Sequence, residues 1–246
     1  RQDPHGGRLL KKKMHSVQAM GRRFERERER LTAMPEAEEA IFLAFSEETA
    51  IPRGKRVLDL ELPRLEAGGK LHARDIELHV AGPERVCILG GNGVGKTTLL
   101  RRIAAELLPR RDIRAAYMPQ EFGERLDGAL SPVELLNRSG SREEEQRIRA
   151  LLGSLRYTSL EMERPCSALS GGQRAKLLLA SMALERADVL ILDEPTRNLS
   201  PLSGPVVRGM LRAFGGAVIS VSHDRKFISE VSTRAYELGP DGLTEL

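Results

Sequence analysis

The chain has no tryptophan, and its aromatic content is only 4%, with three tyrosines and six phenylalanines among 246 residues. Two cysteines are present, Cys87 in an apolar run and Cys166 further along. They lack metal-ligand spacing and form no disulfide framework, so they read as reduced thiols of a cytoplasmic protein. No uninterrupted apolar stretch reaches membrane length, which excludes a spanning helix. The sequence opens at Arg1, with neither an initiator methionine nor a charged-then-apolar signal segment, and is expected to be a piece of a longer polypeptide.

Glycine, by contrast, is concentrated where chemistry can use it. Gly90-Gly91-Asn92-Gly93-Val94-Gly95-Lys96-Thr97 fits G-x-x-x-x-G-K-[ST] at every fixed position. It follows the strand-like run Arg85 to Leu89 and leads through Thr98 into the helical run Leu99 to Ile103, the context that a phosphate-binding loop requires. Glycines let successive backbone N–H groups converge on phosphate oxygens while the helix presents its positive end. Lys96 adds a cation for the β and γ phosphates, and Thr97 a hydroxyl ligand for Mg²⁺.

Further on, Leu169-Ser170-Gly171-Gly172-Gln173 opens a helical run to Leu184. Ser170 suits an N-cap, and the glycines leave first-turn N–H groups open to an anion. An apolar run, Val189 to Leu192, then ends in Asp193 and Glu194. Such a run suits a central parallel strand, and ligand chemistry in open α/β sheets sits at the carboxyl ends of strands, beside the phosphate loop. Gln120 follows Tyr117-Met118-Pro119, and His223 follows the apolar strand Ala217 to Ser220.

These motifs, in this order, resemble those of the ABC ATPases. The resemblance implies that ATP and Mg²⁺ are bound, with Gly90 to Thr98 on the phosphates and Thr97, Gln120 and Asp193 around the metal. It further implies that Glu194 polarises the attacking water, with Gln120 and His223 completing the catalytic set as Q-loop and switch residue. Ser170, Gly171, Gly172 and Gln173 would serve ATP held by a second module. The fold so implied is α/β: an ABC ATPase P-loop fold with a mostly parallel core sheet, an antiparallel β subdomain and a small α-helical subdomain. Arg56 to Leu62 and Asp75 to Val80 alternate as half-buried antiparallel strands should. Helical spacing after Ser131-Pro132 marks a helical subdomain at about 128–168 within an ABC domain at 51–246.

Charge is unevenly placed. From Arg1 to Met34 there are ten Lys/Arg and four acids, a net of +6 against +4 for the whole chain, which leaves the remainder at −2. Leu10, Met14, Val17, Phe24 and Leu31 form a narrow helical seam along this basic leader. Either it is a solvated, salt-bridge-laced helix, or it is half of a helical hairpin whose cations meet the backbone of a nucleic acid. Residues 1–50 are therefore expected to form a charged linker arm, with Ile41 to Phe45 an entering strand.

With the leader in place, the chain resembles the ABC-F group, in which two ABC modules share one chain, joined by a charged helical linker. Membership implies a cytoplasmic protein acting at the ribosome and tRNA as a nucleotide-driven clamp. Its partner would be a second ABC module in the full-length chain, or a second copy of this one. Ser200, where the common loop after the catalytic acid carries aspartate, is similar to members that protect ribosomes from antibiotics. Two rivals share the ATPase motifs: the nucleotide-binding subunit of a membrane transporter, and a DNA-associated ABC protein. The basic leader argues against the first, and the short interval from Lys96 to Ser170, with no room for a long coiled coil, against the second.

Overall fold

The computed structural model describes residues 51–197, 199 and 204–246. The basic leader, the strand expected over Ile41 to Phe45, and Ser200 lie outside the described residues. Strands β1 (Arg56–Ala67) and β2 (Lys70–Ala81) form an antiparallel pair. Leu58, Leu60, Ile76, Leu78 and Val80 turn inward, while Asp59, Glu61, Glu77 and His79 face out. Both strands outrun the sequence expectation. Pro63 breaks the alternation, yet the ladder resumes beyond it with Arg64 opposite Arg74.

Strand β3 (Arg85–Leu89) leads to helix α1 (Lys96–Leu107) and strand β4 (Ala115–Met118). Three short helices follow, α2 (Pro132–Leu136), α3 (Arg142–Ser154) and α4 (Ser159–Glu163). Each begins on a hydroxyl cap, Ser131, Ser141 or Thr158, with Glu134 and Glu161 closing capping boxes on the first and last. Helix α5 (Gly171–Leu184), strand β5 (Val189–Asp193), helix α6 (Gly204–Ala213), strand β6 (Ala217–Val221), helix α7 (Arg225–Val231) and strands β7 (Arg234–Gly239) and β8 (Gly242–Glu245) complete the order.

The main sheet runs β4-β5-β6-β3-β7-β8, parallel except for the β7–β8 pair. All five residues of β5, and all five of β6, are buried, as strands covered on both faces must be. Val189 and Ile191 join the core under α1 and the hairpin, whereas Leu190 and Leu192 join the core formed with α5 and the short helices. Helix α1 buries Leu99, Leu100, Ile103, Ala104 and Leu107, a single stripe at helical spacing. Each fully buried Leu or Ile contributes about 2 kcal/mol relative to an exposed one, which holds the helix against the sheet. In the β5–β6 ladder Asp193 stands opposite Val221, so the ends of both strands reach the same edge of the sheet. Among the described residues, no helix is long and apolar enough to cross a membrane.

Candidate active site

A cavity of about 570 Å³ opens at that edge, between the turn after β3 and the ends of β5 and β6. Asn92, Gly93, Gly95, Lys96, Thr97 and Thr98 line one side of it. Gln120, Asp193, Glu194 and His223 line the other, so every residue expected to act on metal or water faces one space. Gly90, Gly91 and Val94 belong to the turn but not to the wall.

The turn is built on two positions that exclude other residues. Gly95, the N-cap of α1, has φ 101°, and a Cβ there would lie 2.8 Å from the Cβ of His72. Gly90 has φ 143°, and a Cβ there would stand 2.9 Å from the Leu238 carbonyl oxygen. No side chain caps α1, so its first N–H groups are free to receive an anion. Lys96 is 8% exposed, and its ammonium donates at 2.8 Å to the carbonyls of both Gly90 and Gly91. Burial lowers its pKa, and Glu194 and Asp193 work in the opposite direction.

Asp193 is only 1% exposed. Neither of its carboxylate oxygens has a partner at good hydrogen-bond geometry, so the Thr97 hydroxyl nearby, with Arg101 and Lys96, only partly offsets the burial that raises its pKa. A buried, unsatisfied carboxylate facing a threonine hydroxyl and a glutamine is a set of hard oxygen donors, which fits Mg²⁺. No cluster of three or more His, Cys, Asp or Glu is gathered among the described residues, so an ion here would rely on such mixed donors.

Glu194 adopts φ 52°, a left-handed backbone that costs a glutamate about 1 kcal/mol. Pro195 behind it further disfavours α-type backbone. Its N–H donates to the Val221 carbonyl at 2.9 Å, which holds the turn in place and aims the side chain at His223. Oε2 accepts from the His223 N–H at 3.3 Å, and Oε1 lies 3.5 Å from His223 Nε2. Burial raises the Glu194 pKa; the histidine N–H and ring lower it, and Asp193 adds to the rise. A carboxyl with raised basicity that shares a cavity with a glycine turn is suited to accept a proton from water.

The Ser170 to Gln173 motif is not part of this cavity. Ser170 Oγ accepts from the Gln173 N–H at 3.2 Å, Gln173 Oε1 accepts from the Ser170 N–H at 2.9 Å, and Gln173 Nε2 donates to Glu161 at 2.7 Å. Gly171 instead lines a smaller, neighbouring cavity together with Gln120 and Arg197. His72 lines the main cavity and donates from Nδ1 to the Gly93 carbonyl at 3.2 Å. Sequence reasoning missed Arg197, which lines both cavities. Its place three residues after Glu194 is the signal that could have found it.

A family model described as ABC transporter matches residues 73–197. The probable ATP-binding protein YbiT of Escherichia coli O157:H7 is 30% identical over 70% of the chain and 34% of its own length. The human ATP-binding cassette sub-family F member 3 is 36% identical over 66% of the chain and 24% of its own length. The probable ATP-binding protein YheS of Escherichia coli K12 is 29% identical over 93% of the chain and 37% of its own length. The chain thus spans about a quarter to a third of the curated relatives it matches. Among solved structures, the dimeric cassette MJ0796 in a post-hydrolysis state bound to ADP and Pi superposes with a TM-score of 0.63 at 20% identity, covering 78% of this chain and 97% of that one.

Proposed function

This chain belongs to the ABC transporter family, and we propose that it binds ATP with Mg²⁺ in the larger cavity and hydrolyses it there. The observation that carries this reading is the convergence of Lys96, Thr97, Asp193, Glu194 and His223, from the start of α1 and the ends of β5 and β6, on one space. When nucleotide arrives, Lys96 exchanges the carbonyls of Gly90 and Gly91 for β and γ phosphate oxygens. The N–H groups of the turn and of the first turn of α1 take the remaining oxygens. Thr97, Asp193 and Gln120 hold the magnesium ion, which supplies charge neutralisation to the phosphates.

Glu194 orients a water and accepts its proton as the water oxygen bonds to the γ-phosphorus. The bond from that phosphorus to the β–γ bridging oxygen breaks, and ADP leaves with the electron pair. His223 donates to the γ-phosphate and limits the mobility of Glu194. Ser170, Gly171 and Gly172 lie outside this chain's own cavity, an arrangement that supports their service to ATP bound by a partner module. In this reading ATP closes a two-module clamp, and hydrolysis reopens it.

The test is Mg-ATP turnover as a function of protein concentration. Turnover should be slow in the dilute chain and rise with concentration as copies pair. Glu194→Gln should keep ATP binding while losing about 10²-fold or more of the rate. Parental hydrolysis by that variant would remove Glu194 from the role of base.

The wider role we infer is that of a cytoplasmic ABC-F protein acting on the ribosome, as translation factor or in protection from antibiotics, with the basic leader as linker arm (1–50), the cassette at 51–246 and its helical subdomain at about 128–168. Relatives named for sub-family F and the +6 charge of the leader support it. The description of the matched family model favours a second reading, the ATPase subunit of a membrane transporter. Co-sedimentation of the full-length Glu194→Gln protein with ribosomes in ATP would support the first. Recovery with membranes would support the second.

A further inference from the structure

The second cavity, of about 250 Å³, adjoins the first through two shared residues, Gln120 and Arg197. Its wall carries two guanidinium groups, Arg174 and Arg197, against one carboxylate, Glu121. Arg174 lines this wall, and its Nε is buried without a hydrogen-bond partner. Gly171 and Gly123 contribute backbone rather than side chain, which leaves the space open. A Cβ added at Gly123 would meet no atom within 4 Å.

We propose that this cavity is a transit site for inorganic phosphate, which leaves the hydrolytic cavity past Gln120 and Arg197 and is held by Arg174 before it escapes. The proposal rests on the hydrolytic reading above and names the path of one product. Guanidinium groups match tetrahedral oxyanions because their N–H donors are fixed in a planar fork. The cavity is less than half the volume of the first, room for a phosphate but not for a nucleotide beside it. Arg197 reaches both spaces, so an oxyanion moving between them stays near a cation throughout. Since release of product often limits turnover in such enzymes, a station of this kind would set how long the post-hydrolysis state lasts.

The test uses the chain loaded with Mg²⁺ and ADP and titrated with inorganic phosphate, with phosphate followed by ³¹P line broadening and ADP by a fluorescent analogue in parallel samples. The parent should bind phosphate. Arg174→Gln should weaken that binding about tenfold, the loss of one charge-assisted contact, with ADP affinity unchanged. Arg174→Lys should restore most of it. Gly123→Asp, which adds a carboxylate in open space, should weaken phosphate in the same way. Phosphate affinity that is equal in the parent, Arg174→Gln and Gly123→Asp while ADP still binds would overturn the transit site and leave the nucleotide reading intact. A parent that binds ADP but no phosphate would do the same. A parent that binds no ADP would overturn both.

Discussion

Arg208 in α6 donates from Nε to Glu230 Oε2 in α7 at 2.8 Å, with the arginine side chain 8% exposed and the glutamate 42%. The same guanidinium lies 4.0 Å from Asp224, which accepts from the Thr196 hydroxyl at 3.1 Å and caps α7 through the Lys226 N–H. One buried cation therefore ties the segment after Glu194 to the segment after His223. Among the described residues, Glu230→Ala leaves that cation with only Asp224, 4.0 Å away. With allowance for the exposure of Glu230, the loss should be about 2 kcal/mol, lowering the melting temperature by about 4–8 °C. Calorimetry on the nucleotide-free chain checks this, and an unchanged melting temperature would mean that the pair contributes nothing.

Asp193 and Glu194 both have pKa values raised chiefly by burial. An acid whose pKa is raised in the folded state stabilises that state below its unfolded value, about 4, and the contribution is lost as pH rises through the folded value. Carboxylates held down by partners, such as Glu185 and Asp188, slope the other way, so the comparison must be differential. The double variant Asp193→Asn, Glu194→Gln should melt higher than the parent without nucleotide, by a margin that grows as pH rises above about 4. A margin that shrinks over that range would contradict the assignment.

Lys96→Ala removes an ammonium bonded to two carbonyls of its own turn. Those carbonyls are left without that donor, and the phosphate loses its cation. Titration calorimetry with Mg-ATP should show affinity reduced by about thirtyfold or more, given about 2–3 kcal/mol for contacts to a charged group. Heat identical to that of the parent would exclude Lys96 from the phosphate site.

Gly95→Ala would place a methyl group against His72 in a backbone conformation at φ 101°. The cost should be about 1–3 kcal/mol, seen as a lower denaturation midpoint, with ATP binding lost as the turn shifts. Parental stability would show that the turn relaxes freely.

Most of the larger cavity was legible in the sequence because its chemistry is local. A glycine turn between strand and helix, and two acids closing an apolar strand, each announce themselves within ten residues. The alternating strands were likewise visible through their period of two. Other features came only with the tertiary structure. Pro63 hid the length of β1, since a broken alternation reads as a strand end unless the opposing strand is known to continue. The left-handed backbone of Glu194 depends on a bond to Val221, 27 positions along, which no local pattern encodes. Arg197 and Arg174 look like ordinary surface arginines until the fold brings them to one wall.

The pairing of Asp193 with Val221, and of the Glu194 N–H with the Val221 carbonyl, has a consequence for how the molecule fails. The placing of both acids beside the segment that carries His223 is set by main-chain pairing at the ends of β5 and β6. A void opened beneath β6, as at Ile219, would blur the reaction centre at the same moment that it loosened the core. For damage of that kind to the core, loss of catalysis and loss of structure would be one event.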